Sequence, residues 1–200
     1  MPTSELDALA GWVSVTEVLE YFPEPELVDW RIDTGRKESS RISRQTARLG
    51  TRVHEIIAGT SKLGKKDSVE VRNCIEAWQR FKHDYQPEII AQEIEVRDYV
   101  CKVIGHIDMV AKIMDSLVII DWKTGGRINK KHLIQAAKYQ QMAMQQYPKA
   151  ATAIVRLDKN LGSYEFKQQD TDNSFLVQVF DAMLLAYRHF TDKPQWGITA

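Results

Sequence analysis

In the first eighty-five residues, apolar positions recur every three or four places, broken by prolines and glycines. Residues 14–21, SVTEVLEY, begin with Ser14 and carry Glu17 three places later, the reciprocal cap of a helix start. Pro23 and Pro25 break that helix. A short helix over 26–34 and a longer one over 40–58 follow, and the second runs into the loop GTSKLGKK. Val71, Ile75, Trp78 and Phe81 predict a helix over 68–85, ended by Pro87. The period then changes to two. IIAQEIEVR (89–97) alternates after Ile90, and 100–113 and 117–122 are apolar and β-branched, with Met114-Asp115-Ser116 as their turn. Helical spacing returns over 130–147. Residues 153–157 and 164–167 read as two further strands, with Asn160 and Gly162 marking a hairpin. Asp172 or Asn173 caps a last helix over 174–191, with Phe175, Val179, Met183 and Tyr187 on one side. This order predicts an α/β fold in which a central mixed β-sheet is flanked by helices. A helical N-terminal part, 1–66, is expected to precede a core over 67–200 within one compact domain.

A length of 200 residues and a hydrophobic content of 44% suit one domain with a substantial core. Net charge is zero, so the total says nothing of a polyanionic partner, but its distribution does. Between Arg31 and Lys66 ten Lys/Arg face three acids, a local balance of +7 that the rest of the chain cancels. Residues 122–138 hold five basic residues and no acid. Two basic stretches flanking a carboxylate site can hold a polyanion there. The two cysteines, Cys74 and Cys101, are far apart, which argues against a disulfide framework, a zinc ribbon or a cysteine-ligated cluster. They fit a reducing compartment, and a cytoplasmic location is expected. Residues 1–12 lack the basic start and apolar core of a secretion signal. No apolar run is long enough to span a bilayer, so no membrane partner is expected.

The candidate chemistry lies in GHIDMVAKIMDSLVIIDWKTGG, residues 105–126. Two apolar strands there carry Asp108, Asp121 and Lys123, although a buried carboxylate costs several kcal/mol unless it is paired or binds a metal. Asp121 and Lys123 are two apart and share a strand face, while Trp122 points into the packing. A turn centred near residue 115 sets Asp108 opposite about position 122, so the three polar groups can converge. Two close carboxylates repel each other unless a cation lies between them, and a hard divalent ion such as Mg²⁺ suits oxygen ligands. A neighbouring amine can then orient or deprotonate a metal-bound water or stabilise charge on a phosphate. Gln135 and Tyr139 lie four apart on one helix face. Ala47, Gly50 and Ala58 share the His54 side of their helix, and such small residues would let it approach the sheet until His54 reaches the carboxylates.

These residues carry a resemblance. Gly105-His106-Ile107-Asp108, then Asp121-Trp122-Lys123-Thr124, then Gln135 and Tyr139 resemble the G-x-x-D, D-x-K-T and Q-x-x-x-Y motifs of the PD-(D/E)XK nuclease superfamily, in particular its RecB-like exonuclease branch. Gly50-Thr51-Arg52-Val53-His54 is similar to the branch's G-x-x-x-H helix. Ser14-Val15-Thr16 with Phe22-Pro23 and Trp30 resembles the N-terminal segment of phage and mitochondrial-type stand-alone members. The resemblance implies a restriction-endonuclease-like αβββαβ core. It also implies metal ligation by Asp108, Asp121, the Trp122 carbonyl and His54, catalysis by Lys123, and a water- or metal-positioning role for Glu93. Glu95 is a second candidate for that role. Gln135 and Tyr139 would line the cleft, contacting DNA or bracing the site. Arg52, Arg127, Lys130 and Lys131, from the two basic stretches, are the candidate phosphate contacts.

The function expected is a metal-dependent DNA exonuclease acting on single strands or duplex ends in recombination, repair or replication. Mg²⁺ would be its ion, with Mn²⁺ as a substitute. The four-cysteine iron–sulfur cluster of some relatives is not expected in a chain with two cysteines. No G-x-x-x-x-G-K-[ST] phosphate loop occurs, so a helicase or annealing protein would be a separate partner. Two alternatives are a non-catalytic nucleic-acid-binding or assembly module of the same fold, and an endonuclease using the same chemistry.

Overall fold

The computed structural model describes residues 11–169 and 171–191. The expectation about a signal sequence therefore falls mostly outside the described residues. In chain order the elements are β1 (Val13–Ser14), α1 (Val15–Tyr21), α2 (Pro25–Thr34), α3 (Arg36–Ile57), α4 (Val69–Tyr85), β2 (Glu88–Asp98), β3 (Val103–Ile113), β4 (Ser116–Lys123), α5 (Lys130–Ala143), β5 (Ala151–Leu157), β6 (Tyr164–Gln169) and α6 (Ser174–Thr191). The strands form one mixed six-stranded sheet with helices on both faces.

β3 is the hub of the sheet. β2 runs antiparallel along one edge of it, from Glu88↔Lys112 to Asp98↔Val103. Its other edge is shared between β4, antiparallel at Met109–Ile113, and β1, parallel at Val103 and Ile104. Gly105–Asp108 therefore have no ladder partner on that edge among the described residues. Asp121–Lys123 at the end of β4 pair instead with Ile154–Arg156 of β5. The two strands that carry the acids thus part at the acids.

Side-chain alternation divides the core into two layers. Trp122 lies under α4, its ring 4.8 Å from that of Trp78 and 5.7 Å from that of Phe81. Burying a side chain of this kind contributes roughly 2–3 kcal/mol. On the other face Val15, Val18 and Leu19 of α1 pack with Ile107, Val110, Ile119, Tyr139 of α5 and Phe180 of α6. Strict alternation fails at one place. Ile107 and Met109 are two apart yet join opposite layers, so β3 turns over at Asp108. Across from it Glu93 has φ +51°, a conformation that costs a non-glycine residue roughly 1 kcal/mol or more.

Several sequence expectations shift. β1 has no periodicity to announce it, being two residues long. The long helix begins at Arg36, not 40, and the helix after β4 stops at Ala143, not 147. β3 starts at Val103, because Tyr99–Lys102 form a turn in which Asp98 accepts from the amides of Val100 and Cys101. The β3–β4 turn is a two-residue turn, Met114-Asp115, with Met114 at φ +50°. Met109 therefore pairs with Ile120, and the same register sets Asp108 opposite Asp121, one place from the expected Trp122.

Candidate active site

The fork between β3 and β4 gathers polar groups that came from four separate elements. Asp108 and Asp121 are buried, and Lys123 at the strand end is partly exposed. Asp108 Oδ2 accepts from the Trp122 backbone N–H at 2.7 Å, so the carboxylate stands in for the ladder bond lost where the strands part. Its other oxygen lies 3.2 Å from His54 Nδ1, which α3 delivers from above the sheet. Glu93 completes a group in which one ligand atom each of His54, Glu93 and Asp108 lies within 4.8 Å of the others. The turned-over backbone at Glu93 places it there. A glutamate that simply alternated with Ile94 would be any half-exposed strand residue.

Asp121 is the strained member. Its Oδ2 lies 2.7 Å from Lys123 Nζ, an ion pair, but finds no hydrogen bond of acceptable direction. A buried carboxylate oxygen left in that state is costly. Lys123 Nζ donates to Gln135 Oε1 at 2.8 Å, and Gln135 Nε2 donates to Tyr139 Oη at 2.9 Å and to Thr16 Oγ1 at 3.4 Å.

The titration shifts follow from this crowding. Burial, reinforced by the charge on Asp108, pushes the Asp121 carboxyl up despite the Lys123 ammonium. Burial and the Asp108 charge also push Glu93 up. Burial acts downward on Lys123 and His54, but the surrounding carboxylates outweigh it and both are raised.

The donor set fits a hard divalent cation: one imidazole with two converging carboxylates, beside a buried Asp121 oxygen whose contact is the Lys123 ammonium. His54, Glu93 and Asp108 are the side chains that come close enough together to share it; Asp121 lies outside that group, with its Oδ2 on Lys123 Nζ. For Trp122 the structure shows its N–H on Asp108 and its ring in the core.

The other candidates divide. Gln135 and Tyr139 are buried bracing groups, with no free surface to offer a polymer. Arg52 is committed: its guanidinium bonds Asp67 at 2.7 and 3.0 Å, Ser61, Glu55 and the Lys62 carbonyl, tying the 61–67 loop to α3. That corrects its reading as a phosphate contact, because its donors are already used. Arg127 is exposed and pairs with Glu26; Lys130 is exposed and Lys131 half-buried. Glu95 is turned to Arg97 and His106. Of the small residues expected to seat α3, Gly50 faces Thr124, where an added Cβ would stand 3.5 Å from Thr124 Oγ1, while Ala47 is exposed and Ala58 half-buried. The sequence reading did not single out Thr16 as a site residue, although Ser14-Val15-Thr16 carried part of the resemblance.

This combination, a mixed sheet whose paired strands fork around two aspartates and a lysine, defines a class of phosphodiester-cutting proteins. A family-wide sequence profile described as the PD-(D/E)XK nuclease superfamily matches residues 61–192, and the chain belongs to that superfamily. Its RecB-like branch is consistent with the resemblance read from the motifs. Among solved structures the chain is similar to an alkaline exonuclease from Laribacter hongkongensis, at 13% identity and TM-score 0.47 over 94% of this chain and 95% of that one. A complex of that exonuclease with dAMP matches at 15% identity and TM-score 0.41, over 94% and 92% of the two chains. A protein from Eubacterium rectale assigned as an exonuclease matches at 12% identity and TM-score 0.48, over 94% and 85%. No curated protein matches the chain. Among the described residues no helix is long and apolar enough to cross a membrane.

Proposed function

We propose that the protein is a metal-dependent DNA exonuclease that hydrolyses phosphodiester bonds on single strands or at duplex ends, in recombination, repair or replication. The observation that carries this reading is the buried Asp121 oxygen without a hydrogen bond, set beside Lys123 and across the fork from the His54–Glu93–Asp108 group. PD-(D/E)XK nucleases use divalent metals, and this donor set suits Mg²⁺, with Mn²⁺ as a substitute. Bound there, the ion would acidify a coordinated water and polarise a phosphate oxygen.

The protein's own groups supply the rest. Asp108, Asp121, His54 and the Trp122 carbonyl would hold the ion, and Glu93 would orient a water. Lys123 Nζ, steadied by Gln135 and kept an ammonium by the carboxylates around it, would neutralise the charge that develops on the reacting phosphate. Arg127, Lys130, Lys131 and the exposed cations of α3 hold the flanking phosphates, so binding should weaken steeply with salt. DNA is favoured over RNA because exonuclease neighbours include one complexed with dAMP. Unwinding or annealing would come from a separate partner.

The test is cleavage of end-labelled linear DNA and of a circular single strand, each with Mg²⁺ and with EDTA. The reading expects progressive loss from the linear ends with Mg²⁺ only and an intact circle. A cut circle would make the enzyme an endonuclease, and an uncut linear strand in Mg²⁺ or Mn²⁺ would make it a binding module.

A further inference from the structure

The two halves of β3 are covered differently. Met109, Ala111 and Ile113 pack into the core beneath α3 and α4. In the first half, Val103 and Ile107, with Ile94 and Val96 of β2 and Val13 of β1, turn to the α1–α5–α6 layer. Alternation therefore sends Trp12, Ile104, His106, Glu95 and Arg97 to the opposite face. None of these five belongs to the core beneath α3 and α4, and Glu95, Arg97 and His106 are exposed. Glu93, also exposed, lies at the start of this row, so an open strip of sheet leads away from the His54–Glu93–Asp108 group. Arg97 stands four places beyond Glu93, about 13 Å at the rise of a strand.

The strip ends in an aromatic corner. The Arg97 guanidinium lies over the Trp12 ring, 5.5 Å from its centre, and the Tyr99 ring meets Trp12 at 5.4 Å and 88°. Trp12 is half-buried and is followed directly by β1, whose pairing with β3 fixes its place. Tyr99 lies in the β2–β3 turn and is 73% exposed, so its contact with Trp12 sets the tilt of a ring that remains open to solvent. The charges around it suit a polyanion. Glu95, midway along the strip, is paired with Arg97 at 2.6 Å and lies 3.7 Å from His106. Lys102 is exposed in the same turn, and an added Cβ on Gly11 would stand 3.7 Å from its Nζ, which sets the ammonium next to the residue before Trp12.

An aromatic ring or a guanidinium plane stacks on any nucleobase whose face is free, and a duplex offers few such faces. We propose that Trp12, Arg97 and Tyr99 form a stacking platform for the unpaired bases of single-stranded DNA, reached from the candidate metal group along the open face of β2. This rests on DNA being the substrate, as proposed above, and selects the single strand from the two substrates named there. The path of about 13 Å spans roughly four stacked nucleotides, fewer where the strand is extended.

The test is fluorescence anisotropy in EDTA, where binding is read without cutting. Three end-labelled probes of equal length are compared: a dT strand, a strand of abasic sugar-phosphate and a duplex. Tyr99→Ala should weaken binding of the dT strand about tenfold, the loss of one base–aromatic stack, and leave the abasic strand and the duplex within twofold of the parent. Tyr99→Phe, which keeps the ring, should match the parent on all three. A Tyr99→Ala protein that binds dT within twofold of the parent, a loss of equal size on every probe, or a parent that binds no dT strand would overturn the proposal. Cleavage of the dT strand in Mg²⁺, measured in parallel, keeps this reading apart from the nuclease reading. A parent that binds dT through Tyr99 but does not cut in Mg²⁺ or Mn²⁺ loses the hydrolytic activity and keeps the platform. A parent that cuts, with Tyr99→Ala equal to it in KM and in binding, keeps the activity and loses the platform.

Discussion

Two lysines in this protein are set among aspartates, Lys138 between Asp98 and Asp181 and Lys123 against Asp121, and they behave in opposite ways. Lys138, in the middle of α5, is fully buried. Its ammonium meets Asp98 at 3.0 Å, Asp181 at 3.3 Å, Gln141 at 2.7 Å and the Phe180 ring at 5.3 Å. Asp98 in turn receives the turn amides of Val100 and Cys101. The cluster ties α5 to the β2–β3 turn and to α6. In the Lys123 cluster, by contrast, Asp121 Oδ2 meets the ammonium at 2.7 Å but receives no backbone amide and makes no hydrogen bond of acceptable direction. Saturated charges fasten a fold, whereas unsaturated ones leave a place for a ligand.

Three variants sharpen that contrast. The largest effect belongs to the unsaturated cluster. Asp121→Asn and Lys123→Ala should each lower cleavage about a thousandfold or more, and the melting of Asp121→Asn in EDTA should change little. Asp121→Asn removes a charge that the fold pays for, so a large loss of stability in that variant would make the cluster structural. Lys138→Met is the mirror image. Removing one partner of a buried network commonly costs about 3 kcal/mol, so urea unfolding should show a marked loss of stability. At a temperature where the variant is folded, its kcat should stay near that of the parent, and a selective loss of kcat would bring Lys138 into the site.

The smallest effect is a pH dependence at the Arg52–Asp67 clasp. Its pair with Arg52 and the Gly64 amide hold the Asp67 carboxyl at about 2, below its ordinary 3.8. Protons therefore bind the unfolded form more readily, and the contribution is complete above pH 3.8 and lost as pH falls towards 2. Asp67→Asn should flatten that part of the melting curve, and parallel acid limbs in the two proteins would contradict the assignment. The clasp sits near the surface and is only half-buried, so the effect should be modest.

The sequence made the order of elements legible because period-two and period-3.6 patterns are local. The chemistry of Asp108, Asp121 and Lys123 was legible for a related reason: charge inside an apolar hairpin stands out against its neighbours. What stayed hidden depends on contacts far apart in sequence or on a single backbone angle. Lys138 looked like one member of a basic run, since Asp98 and Asp181 are 40 and 43 residues away. Arg52 looked free because its partner loop has no regular pattern. Glu93 could not be told from an ordinary strand glutamate without its positive φ, and β1 is too short for any periodicity.

The most direct measurement of the central claim is the anomalous signal of crystals soaked in Mn²⁺, taken for the parent and for His54→Ala. The account predicts a single strong peak bounded by His54, Asp108 and Asp121 in the parent, and a weaker peak at the same place, needing about tenfold more Mn²⁺, in the variant. A fork that stays free of manganese at saturating concentration, with Asp121 still paired to Lys123 alone, would contradict it.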